Sequence, residues 1–384
     1  MALNTVSSDR LSTNVKNTNF TSAEKQDLTN DILPLAGQLG NRNLIINGAM
    51  NVAQRGTSST GLGASAGYFT LDRYRATFSS TAGRLTMEQV ADVHDGFANA
   101  MKLTCTTADT SIGSSEYFIL QQKIEGQDLQ QLKKGSSDAE QFTVSFYVKG
   151  NASATYVVEI YDLDNNRQVG QTFSVTTNWT RVELTFPADT TGALDDDNAA
   201  SLQLGIWLHA GSNYTSGTLN SSAFAAVTTA NRAVGISSFF DSTARTFFIT
   251  GLQLEVGSVA TDFEHLSFAD DLKKCQRYYH VAVEGTNRPI GTGTMYQAGS
   301  VYVPIFFPVT MRTDPSLEST TGTNYYNIAQ NSTSDFFNQY DGIWRNSVNM
   351  SYIFSSTGVS GTQGQAAMAQ TQNASAKISF SAEL

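Results

Sequence analysis

The chain has 384 residues, a formal net charge of −10 and a charged fraction of 15%, against about 25% in typical globular domains. The length predicts two or three domains, and the acidity, without any Lys/Arg-rich run, argues against nucleic acid as a partner, because phosphate contacts need clustered cations. Ser, Thr, Asn, Gln and Gly take the place of charge, which suits a secreted or particle-borne β protein better than a cytosolic enzyme.

Residues 1–42 are polar, and Phe20 is their one aromatic residue. Thr21-Ser22-Ala23-Glu24 has the form of a capping box, so a helix is predicted from there to about Leu33, where Pro34 stops it. Leu28 and Ile32 fall on one side of that helix. It is too short to be stable alone, and the segment is read as an arm that anchors the chain by these two residues. No run of ~18 apolar residues exists to cross a membrane, and the N-terminus lacks the apolar region and cleavage site of an export signal. Cys105 and Cys275 make neither a disulfide framework nor a metal pair. Both are expected to be small buried apolar groups, as suits synthesis in a reducing bacterial cytoplasm.

Residues 43–266 read as one β domain. Asn43 to Gly48 is expected to be a short strand ending in a turn. Phe142, Val144, Phe146 and Val148 alternate with other residues, and Tyr156–Tyr161 follows. Phe173 and Val175, then Val182, Leu184 and Phe186, then Leu202, Leu204, Ile206 and Leu208 continue the period. Alternation by two with turns between predicts an antiparallel sandwich. In the strand Thr246–Leu254, Phe248, Leu252 and Leu254 are placed on one side. Residues 267–281 change to helical spacing, with Leu272, Cys275 and Tyr279 on one face, and form a helical connector. Residues 282–384 are a second β module. Val301 to Pro308 is strand-like but holds two prolines, which places it near an edge.

Chemistry-bearing motifs are few. No HExxH, GxxxxGK[ST] or GxGxxG is present. Gly63-Ala64-Ser65-Ala66-Gly67 has the GxSxG form, yet a Ser/Thr/Gly-rich loop precedes it and strand-like sequence follows, so it is not expected to be a nucleophile elbow. Asp195-Asp196-Asp197 lacks the EF-hand pattern. No metal, no cofactor and no catalytic residue is expected, and the chain is read as a non-enzyme. Asp72 is expected to pair with Arg73 or Arg75. The site signal is aromatic. Gln203, Trp207 and His209 lie opposite the Leu/Ile face of their strand, and an outward Trp beside an amide and an imidazole suits a sugar. The alternative is that residues 211–230 or a neighbouring subunit cover Trp207. In the second module, Tyr325, Tyr326, Phe336, Phe337, Tyr340 and Trp344 crowd a Ser/Asn-rich background of the kind recognition loops use. Tyr340 and Trp344 are the residues picked there for glycan contact.

Several of these stretches, taken together, resemble a recurring pattern. They are Asn43-Leu44-Ile45-Ile46-Asn47-Gly48, Gln54-Arg55-Gly56, Asp72-Arg73-Tyr74, Gln122-Lys123-Ile124-Glu125-Gly126, Gly251 to Gly257, Phe263-Glu264-His265 and Cys275-Gln276-Arg277-Tyr278-Tyr279. The pattern is that of bacteriophage tail-fibre and related virion proteins, especially of marine phages. The resemblance implies a jelly-roll of the carbohydrate-binding-module type over the β domain, and a homotrimer. It makes the expected protein a tail fibre or tail-associated adhesin in the virion, joined to a tail or baseplate protein by the N-terminal arm. Its expected target is host cell-surface polysaccharide, contacted by the C-terminal module as a receptor-binding tip. The alternatives are a polysaccharide depolymerase and a purely structural decoration protein.

Overall fold

The computed structural model describes residues 40–384. The expected arm helix, with Leu28 and Ile32, lies outside the described residues. Thirteen strands come first: β1 (Ser58–Leu62), β2 (Gly67–Tyr68), β3 (Arg75–Ser79), β4 (Arg84–Val90), β5 (Ala100–Thr107), β6 (Tyr117–Glu125), β7 (Phe142–Gly150), β8 (Ala154–Asp162), β9 (Arg167–Val175), β10 (Thr180–Phe186), β11 (Ala200–Ala210), β12 (Ala225–Ala226) and β13 (Thr246–Val256). They make two antiparallel sheets, ordered β1-β4-β5-β13-β7-β10 and β12-β9-β8-β11-β6-β3-β2. Leu103, Val144, Phe146 and Ile249 of the first sheet face Phe118, Ile160, Leu204 and Ile206 of the second across one core. This is the antiparallel sandwich that the period-two sequence predicted, with the jelly-roll form that the resemblance implied.

A helix-bearing connector follows the sandwich. A short helix, α1 (Ser212–Thr215), lies within the sandwich itself, just after β11; the connector carries α2 (Phe268–Gln276). Ser267 caps α2 by accepting from Asp270 N, and Asp270 and Asp271 sit in its first turn, where the helix dipole favours them. The helix ends before Tyr279, which begins the next strand. Its buried side is therefore Asp271 and Cys275, with Tyr278 continuing it, rather than Leu272, Cys275 and Tyr279.

Ten more strands form the second module: β14 (Tyr279–Glu284), β15 (Pro289–Gln297), β16 (Ser300–Phe306), β17 (Ser316–Ser319), β18 (Tyr326–Gln330), β19 (Thr333–Phe337), β20 (Gly342–Asn346), β21 (Met350–Ser355), β22 (Ala366–Thr371) and β23 (Lys377–Ser381). A three-stranded sheet, β14-β23-β17, and a seven-stranded sheet, β19-β18-β22-β15-β16-β21-β20, enclose a second core. Val283, Ile378 and Phe380 from the small sheet share it with Val301, Val303, Ile328 and Ile353 from the large one.

Three local expectations are corrected. Residues 43–50 are irregular, not a strand. Asn47 has φ +61, and its amide bridges Val52 O and Val52 N, so the segment turns instead of extending. In β13 a bulge between Thr250 and Gln253 shifts the parity. Phe247 and Ile249 enter the core with Leu252 and Leu254, while Phe248 faces the other side, against Trp179 and the Lys149 ammonium. Gly251 sits in that bulge at φ +63, and a Cβ there would meet the Phe97 ring at 2.6 Å. Strand β16 is internal to its sheet despite Pro304. Its pairing with β15 stops at Tyr302, so the proline lies beyond that ladder.

Asn43–Leu384 forms one compact unit, and the seam between sandwich and module is heavily bonded. Glu125 at the end of β6 accepts from Arg277 Nε at 2.8 Å and Nη2 at 2.6 Å, from Gln127 Nε2 at 2.6 Å and from the Tyr278 hydroxyl. Buried Arg73 pairs with Glu383, donates to Lys123 O at 2.7 Å and stacks 3.5 Å over the Tyr278 ring. Asp72 does not pair with Arg73 or Arg75. It accepts from Gln54 N at 2.9 Å and from the Gln54 side chain, which also donates to Tyr279 O at 2.7 Å. Asn47 N donates to Asp271 of α2 at 3.0 Å, and Ile46 N to Gln122 at 2.8 Å.

Two titratable groups at this seam oppose each other. Burial raises Asp72 from 3.8 to about 6 against the pull of Gln54 and Arg55. Burial lowers His280 on β14 from 6.5 to about 4, and its Nδ1 has no partner. The fold favours protonated Asp72, so that contribution is present below about pH 4 and lost as pH rises to about 6. It favours neutral His280, so that contribution is present above pH 6.5 and lost as pH falls to about 4. At ~1.4 kcal/mol per pH unit, each window is worth about 3 kcal/mol. The two nearly cancel between pH 4 and 6.5. Urea unfolding of Asp72→Asn is expected to lose stability on acidification through that window, and His280→Phe to gain it. Parallel pH profiles for both variants and the parent chain would contradict this.

Candidate functional site

The strand β11 does present Gln203, Trp207 and His209 on the face away from the core, but that face is covered. The segment from α1 to Ile236 lies over it, and Tyr117, Tyr214, Leu219, Ala233 and Ile236 pack with Trp207 in a satellite cluster. Trp207 is 0% exposed, and His209 and Gln203 are buried too. The indole Nε1 donates to Glu159 Oε2 at 2.9 Å, and Arg232 clamps the same carboxylate with two hydrogen bonds of 2.7 Å. The Arg232 guanidinium also stands 5.0 Å over the Trp207 ring. An aperiodic, small-residue segment became the lid, so the outward ring expected to meet a sugar is instead a packing anchor. Tyr340 is corrected as well. It is buried in the second core against Tyr326 and Phe337. Ser65 is exposed in the turn before β2, with no helix after it, so no nucleophile elbow forms.

Trp344 is different. It is 47% exposed on β20. The register slips between Ile343 and Arg345, and this bulge leaves Trp344 unpaired with β21 and projecting from the outer face of the seven-stranded sheet. Strand periodicity places other rings beside it. In β16, Val301, Val303 and Ile305 point into the core, so Tyr302, Pro304 and Phe306 point out. In β21, Ile353 points in, so Tyr352 and Phe354 point out. In β15, Met295 points in and Tyr296 points out. Tyr302 lies 5.2 Å from Trp344, 5.3 Å from Tyr296 and 5.6 Å from Phe354, and Tyr352 lies 6.0 Å from Trp344.

The result is a contiguous aromatic platform with Trp344 near its centre. Tyr296 is 57% and Phe306 72% exposed, so rings as large as these remain open to solvent. Polar groups border it: Thr292 and Thr294 on β15 alternate with its inward residues, and the Arg345 guanidinium stands 5.0 Å from the Trp344 ring. Flat apolar faces flanked by hydroxyl and guanidinium groups can hold a ligand that has both C–H surfaces and hydroxyls. The sequence reading named Trp344 but missed Tyr296, Tyr302, Tyr352 and Phe354. Their signal was available: each alternates with an aliphatic or Met residue at period two.

A cleft of about 630 Å³ opens at the seam, lined by Arg55, Tyr68, Tyr279, Glu318 and Lys377 among others. Its cations already have partners. Arg55 stacks 3.5 Å over Tyr279 and pairs with Glu383 at 3.2 Å, and Lys377 donates to Gln54 O at 2.7 Å. Tyr68 donates to Leu384 O at 2.9 Å. These groups join the two modules, which leaves the platform as the surface with rings to spare.

No protein-family model matches the sequence, and no curated protein matches it. Solved structures similar in fold include a family 30 carbohydrate-binding module, at 11% identity over 60% of this chain and 94% of the other, with a TM-score of 0.30. TmCBM61, solved in complex with β-1,4-galactotriose, is 12% identical over 56% of this chain and 99% of its own, with a TM-score of 0.29. The enzymatically active domain of bacteriophage CBA120 tailspike protein 4 is 13% identical over 56% of this chain but 21% of its own, with a TM-score of 0.31. At such identities and scores, function has to be read from the residues themselves.

Proposed function

We propose that this chain is a glycan-binding adhesin of a bacteriophage tail, and that the aromatic platform of the C-terminal module is its receptor surface. The observation that carries the proposal is the run of Tyr296, Tyr302, Trp344, Tyr352 and Phe354 on one solvent-facing sheet. Exposed apolar patches of this kind mark binding surfaces on proteins that are otherwise polar, and this chain is polar and weakly charged. The resemblance to tail-fibre proteins supports the setting: residues 1–42 join a tail or baseplate protein, and the chain works in the virion as a homotrimer. It binds envelope polysaccharide and does not cleave it.

The test is binding of the full-length protein to capsular polysaccharide and lipopolysaccharide preparations from bacteria, followed by isothermal titration with the preparation that responds. Trp344→Ala and Tyr302→Ala are expected to weaken binding by roughly 1–3 kcal/mol each, about 5- to 150-fold, as removal of a central ring does. Unfolding midpoints should barely move, since Trp344 packs outside the core. No reducing ends should appear during incubation. Unchanged affinity in both variants would remove the platform from recognition, and sustained release of reducing sugar would make the chain a depolymerase. A second reading is favoured by Phe306, Phe336 and Met368, which are exposed large apolar residues in the same seven-stranded sheet. There the surface is a contact between subunits, and Phe306→Glu would then lower the mass measured by analytical ultracentrifugation.

A further inference from the structure

At one end of the sandwich, three metal-ligating groups from separate elements converge. Asp109 follows β5, Glu116 precedes β6, and His209 lies on β11. One ligand atom from each lies within 4.8 Å of the other two. His209 is wholly buried, and its Nδ1 is engaged by Ser238 Oγ at 2.8 Å, which turns Nε2 toward Glu116 Oε2 at 3.4 Å. Asp109 is held just as firmly: its Oδ2 accepts from Thr81 Oγ1 and from Ala82 N, both at 2.8 Å. Such outer partners orient ligands in metal sites.

The charge at this place is unbalanced. Asp109 and Glu116 bring two carboxyl groups close together. Among the described residues neither has a Lys or Arg ion-pair partner, and the salt-bridge geometry that does occur is with His209. His209 meets Ser238 through Nδ1, so Nε2 is the ring nitrogen that faces the carboxylates.

We propose that Asp109, Glu116 and His209 form a site for a divalent transition-metal ion of the Zn²⁺ class, which clamps the β5–β6 loop to β11. One imidazole nitrogen and two carboxylates are a donor set for a borderline ion, whereas Ca²⁺ and Mg²⁺ prefer oxygen alone. Bonds of about 2.0–2.2 Å would bring the ligand atoms to roughly 3.3 Å apart. Glu116, the least buried of the three, is the one free to close that gap.

The test uses the full-length protein, freed of metal by a chelator and titrated with ZnCl₂ at pH 7. One Zn²⁺ per chain is expected to bind and to raise the unfolding temperature. Glu116→Gln, at a partly exposed position that tolerates the change, is expected to weaken this binding at least tenfold and to lose the thermal shift. Ser238→Ala, which frees the ring but removes no ligand, is expected to weaken it about tenfold. The proposal is overturned if no Zn²⁺ binds, if Glu116→Gln binds it as tightly as the parent chain, or if CaCl₂ or MgCl₂ binds as tightly as ZnCl₂.

Discussion

Glu125→Ala is expected to destabilise the protein by about 3–5 kcal/mol, the usual cost of removing one member of a buried ion pair. The Glu125 side chain is completely buried, and it is the one acceptor shared by Arg277, Tyr278 and Gln127. Burial by itself pushes this carboxyl up, but the hydrogen bonds from Arg277 and Tyr278 outweigh it and hold the group below its usual range. Without it, the Arg277 guanidinium faces a gap and the Tyr278 hydroxyl loses its acceptor, while Arg73 still stacks on the ring. The link that fails joins β6 of the sandwich to the end of α2, so the two modules should also separate. Urea unfolding read by circular dichroism gives the energy, and limited proteolysis near residue 277 reads the separation. Replacing both partners by apolar residues, Glu125→Leu with Arg277→Leu, should recover much of the loss, because desolvation is then no longer incurred. A loss under about 1 kcal/mol in the single variant would mean the pair contributes no more than a surface salt bridge.

The quoted stretches are distant in the chain, yet Asn47, Gln54, Asp72, Arg73, Gln122, Glu125, Asp271 and Arg277 to Tyr279 meet at the seam. In this chain these residues join the jelly-roll to the connector helix and the next strand. None of them belongs to the aromatic platform, whose rings are brought together only by the seven-stranded sheet.

The strands were legible wherever aliphatic residues alternate over a long run, as in Phe142–Val148 and Leu202–Leu208, because a half-buried strand leaves that period in the sequence. Legibility failed at three kinds of place. Bulges change parity without a sequence mark, and so Phe248 was assigned to the core side when it faces Lys149 and Trp179. Backbone capping by a buried Asn made residues 43–50 turn although their composition suits a strand. Lids carry no period: residues 211–230 offer themselves as a cover for Trp207 only because they are aperiodic and small, and the alternation of β11 cannot choose between a covered and an open ring. Hence the site residues divided. Trp344 is the exposed ring expected of a contact residue, whereas Tyr340 is interior, and for Gln203, Trp207 and His209 the covered alternative holds over the sugar-facing one. The Asp109–Glu116–His209 cluster could not be read at all, since its members are brought together only by β5, β6 and β11 meeting at one end of the sandwich.

Trp207→Ala is expected to cost about 3–5 kcal/mol of stability, the range for deleting a large buried aromatic side chain. The cavity would open beneath the 211–236 lid, whose Tyr214, Leu219, Ala233 and Ile236 would lose their common contact. Glu159 would lose the indole donor but keep Arg232, so the buried carboxylate stays paired and the charge is not stranded. Trp207→Phe, which keeps much of the ring volume but not the N–H, should therefore cost less, about 1–2 kcal/mol. The effect on glycan recognition should run the other way. Because Trp207 lies under the lid and the platform stands on a different module, the folded fraction of Trp207→Ala should bind polysaccharide as tightly as the parent chain. Thermal unfolding and titration on the same sample separate the two quantities. If Trp207→Ala keeps its unfolding temperature and loses glycan affinity, the lid opens in solution and β11 is the receptor site. If it loses stability and keeps affinity while Trp344→Ala does the reverse, the two tryptophans have the separate roles that their burial assigns: one holds a lid in place and the other meets the ligand.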